Sequence, residues 1–310
     1  MTTSRRALLS RRSLLSRRSL LWGAGTAATA AALTAAGGAA VEQGLLPGRT
    51  TLHRLLHLDG APGVVPSAGG GSLVSGSFAS KARLGADVGW SIAYPPGSAP
   101  GDPLPVAVVL HGYGGTHASA FGGAHLGLDR YLAAHAQAGG PPFALASIDG
   151  GNTYWHRRVT GEDAGAMVVG EFLPLLRKRG LDVARIGFLG WSMGAFGALA
   201  LASQLGSPRV AAVAAESPAI WHTAAEAASI AFDSPADFAA HTVFGRQSTL
   251  DGIAVRVDCG TGDGFYPAAR DYVAGFATAP AGGFEPGAHD VGYWRRMVPA
   301  QLAHLGRHLT

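Results

Sequence analysis

The pentapeptide Gly190-Trp191-Ser192-Met193-Gly194 sets a serine between two glycines, directly behind the apolar run Arg185–Leu189 and ahead of a helix-compatible stretch, Gly194–Gln204. A chain that passes from strand to helix through so short a turn needs glycine on both sides, and the turn lifts the serine oxygen clear of the strand end. A serine hydroxyl is a weak nucleophile unless a base takes its proton and an acid orients that base. Both follow in chain order. Asp263 stands in Gly260-Thr261-Gly262-Asp263-Gly264-Phe265, a turn beyond the strand-like run Ile253–Cys259, and His289 stands 26 residues later in Gly287-Ala288-His289-Asp290. The chemistry this set can do is acyl transfer. His289 takes the Ser192 proton and returns it to the leaving group, while Asp263 fixes the imidazole tautomer.

Other residues compete for these roles. Asp258 lies five residues before Asp263 at the end of its strand, Glu216 ends the preceding strand, and Asp290 adjoins the histidine, where it reads as a cap for the following turn. Of the twelve histidines, only His304 and His308 also lie downstream of Asp263. Four residues apart on the terminal helix, they read as its solvated face.

An oxyanion forming on an acyl carbon needs N–H donors aimed at it. Met193, next to the nucleophile, offers one. The run Val106–Leu110 leads into His111-Gly112-Tyr113-Gly114-Gly115, which offers the second through Tyr113, with Gly114 as the alternative. This loop has neither the glycine spacing nor the lysine of a nucleotide-binding loop. His111 reads as a brace for the loop, and His111, Gly114, Trp155 and Trp221 are candidate walls of a substrate pocket.

These residues have to be held by a sheet. Trp90–Tyr94, Pro105–Leu110, Phe143–Ile148, Arg185–Leu189, Val210–Ala215 and Ile253–Val257 read as strands, several of them apolar without alternation, as in a parallel sheet covered on both faces. Helical patterns at Ala164–Leu176, Gly194–Gln204, Asp271–Phe276 and Val298–Leu309 come between and after them, so the class is α/β. Residues 222–250 form an insertion placed to cover the site, and its Phe232, Phe238 and Phe244 read equally as core or as pocket wall.

The chain begins with three near-copies of one hexad over residues 4–21, each with twin arginines, followed by the Ala-rich uncharged stretch Trp22–Val41. This matches a bacterial twin-arginine export signal, and the third copy fits best. A basic arm for nucleic acid or anionic lipid is the competing reading. Gly38-Ala39-Ala40 offers a cleavage site, and residues 22–41 are also long enough to remain as a membrane anchor. The expected organisation is therefore a signal or anchor over 1–41, a Gly/Pro/Ser-rich linker with a short helix near Thr51–Leu58 over 42–75, and one catalytic domain over 76–310. In that short helix His53 and His57 could share a face, but Arg54 stands where a metalloprotease helix needs glutamate, so a surface helix is the better reading.

Composition narrows the function further. Of 24 Lys and Arg, six arginines fall within the first 18 residues, leaving 18 basic against 20 acidic side chains in a body that offers no footprint for a phosphate backbone. Nucleic acid is not an expected partner of this body. Cys259 is the single cysteine, so the body holds no internal disulfide and the N-terminus offers no site for a lipoprotein anchor.

On His111–Gly115, Gly190–Gly194, Gly260–Phe265 and Gly287–Asp290, residues 75–310 resemble the esterase D-like branch of the α/β-hydrolases. That branch includes S-formylglutathione hydrolases, feruloyl and acetylxylan esterases and secreted mycolyltransferases. The resemblance implies an α/β-hydrolase fold with a mostly parallel sheet of about eight strands and helices on both faces. It also implies Ser192 as nucleophile, Asp263 as acid, His289 as base, and Tyr113 with Met193 as oxyanion donors, with neither metal nor organic cofactor. Asp149-Gly150-Gly151, Tyr154-Trp155-His156 and Glu171-Phe172-Leu173-Pro174 look like family segments without an assigned role. Mycolyltransferases carry an arginine beside the oxyanion loop and a glutamate as acid, where this chain has Gly114 and Asp263. The glutathione thiol-ester hydrolases are usually cytosolic, unlike a chain with an export signal. The expectation is an exported serine hydrolase that takes a small or polymer-linked carboxylic ester and meets the twin-arginine export machinery on its way out. Cell-envelope acyl transfer and a catalytically silent binding module are the alternatives.

Overall fold

Runs of apolar residues without polar alternation become the central strands. β3 (Pro105–Leu110), β4 (Ala144–Ile148) and β6 (Val210–Glu216) are buried along their lengths, apart from half-buried Pro105. In β3 the side chains alternate between two cores: Val106, Val108 and Leu110 point into one, Ala107 and Val109 into the other. A strand that feeds a core on each face has no polar side to show, which is why the period of two is invisible in its hydropathy. The computed structural model describes residues 48–310, and the export signal, its cleavage site and the anchor lie outside the described residues.

The sheet has eight strands in the order β1-β2-β4-β3-β5-β6-β7-β8, with β1 (Leu73–Ser80), β2 (Ala86–Ala93), β5 (Asp182–Trp191), β7 (Ala254–Gly260) and β8 (Ala281–Glu285) completing it. β1 and β2 form an antiparallel hairpin, β2 runs antiparallel to β4, and every other pairing is parallel. One face carries α2 (Leu128–Gln137) and α8 (Val291–Leu309) through Leu132, Val298, Leu302 and Leu305. The other carries α3 (Ala164–Met167), α4 (Leu173–Lys178) and α5 (Met193–Leu205) through Met167, Leu176, Phe196 and Leu199. Among the described residues no helix is long and apolar enough to cross a membrane.

Three differences from the sequence reading have local causes. β1 starts at Leu73, inside the segment read as linker, and residues ahead of it run hydrogen-bonded along the body: Gly63 N–H to Gly292 O at 2.7 Å, Tyr131 Oη–H to Val64 O at 2.9 Å. β1 and β8 are edge strands rich in Ser, Gly and Ala, exposed or half-buried over most of their lengths, with Leu73, Val74, Phe78 and Phe284 as their only large apolar side chains, so neither shows the apolar run of a covered strand. α1 (Arg49–Leu55) is no free surface helix either. Its His53 is buried, with Cβ so close to Gly262 that a side chain at 262 would come within 2.9 Å of it, and Thr50 donates to Gly262 O at 2.8 Å.

The expected helix over Ala164–Leu176 is broken by a π-turn at Val168–Phe172 between α3 and α4. Pro174 has no N–H to give Gly170 and its ring clashes with that carbonyl, so the turn widens ahead of it. α8 begins seven residues earlier than expected, runs through Pro299 and is capped by Asp290, whose carboxylate accepts from Tyr293 N at 3.0 Å. Burial of Tyr293, Met297, Val298, Leu302 and Leu305 outweighs the one hydrogen bond the proline removes.

Candidate active site

β5 ends at Trp191 and α5 starts at Met193, so Ser192 alone makes the turn, at φ 56° and ψ −120°. That conformation costs a non-glycine residue on the order of 1–3 kcal/mol and persists because the surroundings fix it. The flanking glycines have no alternative. A Cβ on Gly190 would lie 2.2 Å from Gly194 O, and one on Gly194 would lie 1.9 Å from Leu110 O, the carbonyl that ends β3. The turn is thus wedged between its own ends and the neighbouring strand, and Ser192 N–H is tied to Glu216 O at 2.9 Å.

Asp263 and His289 arrive from the ends of β7 and β8. His289 Nδ1 lies 2.7 Å from Asp263 Oδ2, and its Nε2 lies 2.9 Å from Ser192 Oγ. A carboxylate only accepts, so the imidazole proton sits on Nδ1 and the Nε2 lone pair faces the serine hydroxyl, which donates to it. Asp263 is fully buried and its other oxygen accepts from Phe265 N at 2.9 Å, leaving it one orientation. Two rings hold the imidazole plane: Phe265 at 5.2 Å and Trp294 at 5.2 Å between centroids. The sequence reading assigned neither. Trp294 stands one turn into α8, five residues past His289, and only the earlier start of that helix brings it to the site.

A groove of about 400 Å³ opens in front of Ser192, lined by residues 112–115, Ser119, Trp191, Ser192, His289 and Trp294. Met193 opens α5, so its N–H has no acceptor within the helix. Across the groove Gly114, at φ 72°, donates its N–H to Asn152 Oδ1 at 2.7 Å. Gly114 N–H is therefore engaged in holding the loop. Asn152 is a residue the sequence reading missed, although it directly follows the unassigned Asp149-Gly150-Gly151.

His111 and Trp155 are corrected from pocket wall to support. His111 is fully buried, with Nδ1–H donating to Gly112 O at 2.8 Å and Nε2 accepting from Gly150 N at 3.0 Å, and burial lowers its pKa. Trp155 packs edge-on against it at 5.1 Å in a slot that a Cβ on Gly150 or Gly197 would enter, at 2.4 and 2.5 Å. Gly197 is thus a glycine that makes room for this indole. Trp221 is one ring removed from the histidine, 5.5 Å from Phe265. Phe232 and Phe238 of the insertion lie in the core, and Phe244 packs against it.

The rivals have other partners. Asp258 forms a two-pronged pair with Arg256 at 2.7 and 2.8 Å, and Asp290 caps α8. Glu216 is fully buried beneath the nucleophile turn, and neither of its oxygens has a hydrogen-bond partner. Burial, followed by the nearby Asp258, raises its pKa well above the usual carboxylate range. His304 is not solvated: it is buried and donates to Ala254 O at 3.0 Å, whereas His308 is exposed.

No protein-family model and no curated protein matches the chain. Solved structures do. A ferulic acid esterase superposes with TM-score 0.62 at 22% identity over 76% of this chain and 98% of its own. A Staphylococcus aureus fluorophosphonate-binding serine hydrolase F gives 0.60 at 17% over 76% and 99%. An S-formylglutathione hydrolase from Agrobacterium tumefaciens gives 0.60 at 17% over 79% and 98%. With the strand order above, this establishes the α/β-hydrolase fold.

Proposed function

We propose that this protein is a serine carboxylic-ester hydrolase working through an acyl-enzyme on Ser192. The observation that carries the reading is the continuous relay from buried Asp263 through His289 to Ser192 Oγ, at 2.7 and 2.9 Å, at a groove lined by residues 112–115, Ser192 and His289. As Ser192 Oγ attacks the ester carbonyl, its proton passes to His289 Nε2, and Asp263 stabilises the imidazolium through Nδ1–H. The carbonyl oxygen gains charge between the Met193 and Tyr113 amides. His289 then protonates the departing alcohol, and water, activated by the same nitrogen, hydrolyses the acyl-enzyme. The names of the superposed proteins, two esterases or thiol-ester hydrolases and a serine hydrolase, support the ester as substrate class. The three twin-arginine hexads support export to the cell envelope or beyond.

The test is the intact mass of the protein after exposure to a fluorophosphonate. One adduct on the parent and none on Ser192→Ala is the expected result. A well-folded parent that takes no adduct would overturn the reading and bring the binding-module alternative forward. Product partition between water and added alcohol acceptors separates hydrolysis from acyl transfer, and hydrolysis is expected to dominate.

A further inference from the structure

A second cavity, larger than the groove at Ser192, stands apart from it. It measures about 580 Å³, lies between α5 and the insertion, and has His156 and His241 in its wall. His156 comes from the loop after β4. His241 ends α6 (Pro235–His241), the helix of the insertion, one turn after Asp237. The two imidazoles stack at 4.3 Å between centroids, and Asp237 Oδ1 lies 2.8 Å from His241 Nδ1 and 4.0 Å from His156 Nδ1. One ligand atom from each of the three residues falls within 4.8 Å of the others.

The hydrogen bonds around His156 do not balance. Its Nδ1 lies 2.9 Å from Arg157 O and its Nε2 lies 3.0 Å from Ala231 O, two carbonyls that can only accept. A neutral imidazole has one N–H, so one of these nitrogens meets an oxygen lone pair to lone pair, with a carboxylate oxygen close by. If Nε2–H serves Ala231, then Nδ1, Arg157 O, Asp237 Oδ1 and the His241 imidazole form an electron-rich cluster short of a cation. A ligating histidine that gives its other N–H to a backbone carbonyl is the usual supporting arrangement around a metal. The second oxygen of Asp237 is also held, accepting from Asp233 N at 2.8 Å.

We propose that His156, Asp237 and His241 bind one divalent first-row transition-metal ion, zinc by preference, which clasps the insertion to the loop after β4. Two imidazoles and a carboxylate suit zinc, copper or nickel rather than magnesium or calcium. Bonds of about 2.0–2.1 Å in a tetrahedral site separate ligand atoms by roughly 3.3 Å, a value the 2.8 and 4.0 Å separations bracket. The cavity gives the ion its entry path and a water for the remaining position. The site is apart from the triad and plays no part in the ester chemistry.

The full-length protein, stripped with chelator, is titrated with zinc by calorimetry and with cobalt(II) by visible absorption. One equivalent is expected, with cobalt bands of a low-symmetry site, and a melting temperature raised by roughly 5–10 °C at a hundredfold excess of free zinc over Kd. His241→Ala and Asp237→Asn should each weaken binding about 100-fold or more, while Ser192→Ala binds as the parent does. His241 lies at the end of its helix with its side chain part-exposed, so its removal tests the ligand without emptying the core. Absence of a stoichiometric equivalent, or an equivalent that neither substitution moves, would overturn the proposal.

Discussion

Two aspartate–histidine pairs of similar length lie in this molecule, and they are built for opposite purposes. In the Asp263–His289 pair every proton has one place to go: the carboxylate accepts at 2.7 Å, the far nitrogen accepts from Ser192, and the second carboxylate oxygen takes a backbone N–H. In the Asp237–His241 pair, 2.8 Å apart, the next group is another imidazole whose two nitrogens both face carbonyls. A hydroxyl beyond the histidine completes a proton relay. A lone pair beyond it leaves a hole that a cation fills. Neighbours of the pair, rather than the pair itself, decide which chemistry results.

The same substitution in each pair breaks this comparison most directly. Asp263→Asn should lower kcat by about 10⁴-fold, because the amide presents a donor to His289 and reverses its tautomer. Asp237→Asn should lower kcat less than tenfold while removing the zinc-dependent rise in melting temperature. Steady-state kinetics and a melting series of both variants at two zinc concentrations decide it. Equal losses of activity from the two substitutions would mean that the pairs are not functionally distinct.

The triad residues were readable because each sits in a short local signal: glycines around Ser192, a glycine-rich turn around Asp263, a turn ahead of His289. The covered strands were readable for the same reason, since continuous apolar runs need no partner to be recognised. What escaped depends on contacts between distant segments. Trp294 and Asn152 carry no motif, and their positions follow from where α8 starts and how the loop after β4 folds back on Gly114. His111 and Trp155 have the residue types of a pocket wall, but glycines at 150 and 197 open space for Trp155 on the buried side, and His111 is fully buried beside it. The edge strands β1 and β8 carry only a few large apolar side chains, Leu73, Val74, Phe78 and Phe284, among Ser, Gly and Ala, because one flank and much of their surface meet water.

Phe232 is the ring that both regions share. It stacks on His156 at 5.3 Å and meets Trp221 at 6.1 Å, while Trp221 meets Phe265 beside His289. Phe232→Ala should cost about 3–5 kcal/mol of stability, measured by denaturant unfolding, because a buried aromatic leaves a cavity between sheet and insertion. If the insertion shapes the acyl pocket, KM for bulky esters should rise more than kcat falls. A loss of under 1 kcal/mol would show that the insertion is not packed as described.

Glu216 gives the finest distinction, since among the described residues it is a buried carboxyl near Ser192 with no ion-pair partner and no close hydrogen bond, beside two aspartates that are each paired. Burial outweighs the downward pull of the Gln301 amide and the Arg256 charge on its pKa. Burial raises its pKa in the folded protein well above the 4.5 of a free glutamate, so over that interval the native state binds a proton that the unfolded chain has released. Stability contributed by the protonated carboxyl is full below pH 4.5 and is lost as pH rises toward the folded-state value, at up to about 1.4 kcal/mol per pH unit. Glu216→Gln keeps the shape and the neutral state but cannot ionise. The variant should therefore match the parent's unfolding free energy near pH 4.5 and exceed it by a margin that widens as pH rises above that point. Asp258, also raised by burial and itself a cause of the Glu216 shift, is present in both proteins, so the difference reads Glu216 together with its coupling to Asp258. Parallel stability curves for parent and variant from pH 4.5 to 8 would mean that Glu216 ionises freely. The interior beneath the nucleophile would then have to supply a counter-charge or water for it, and the account of a neutral, unpartnered carboxyl below Ser192 would fall.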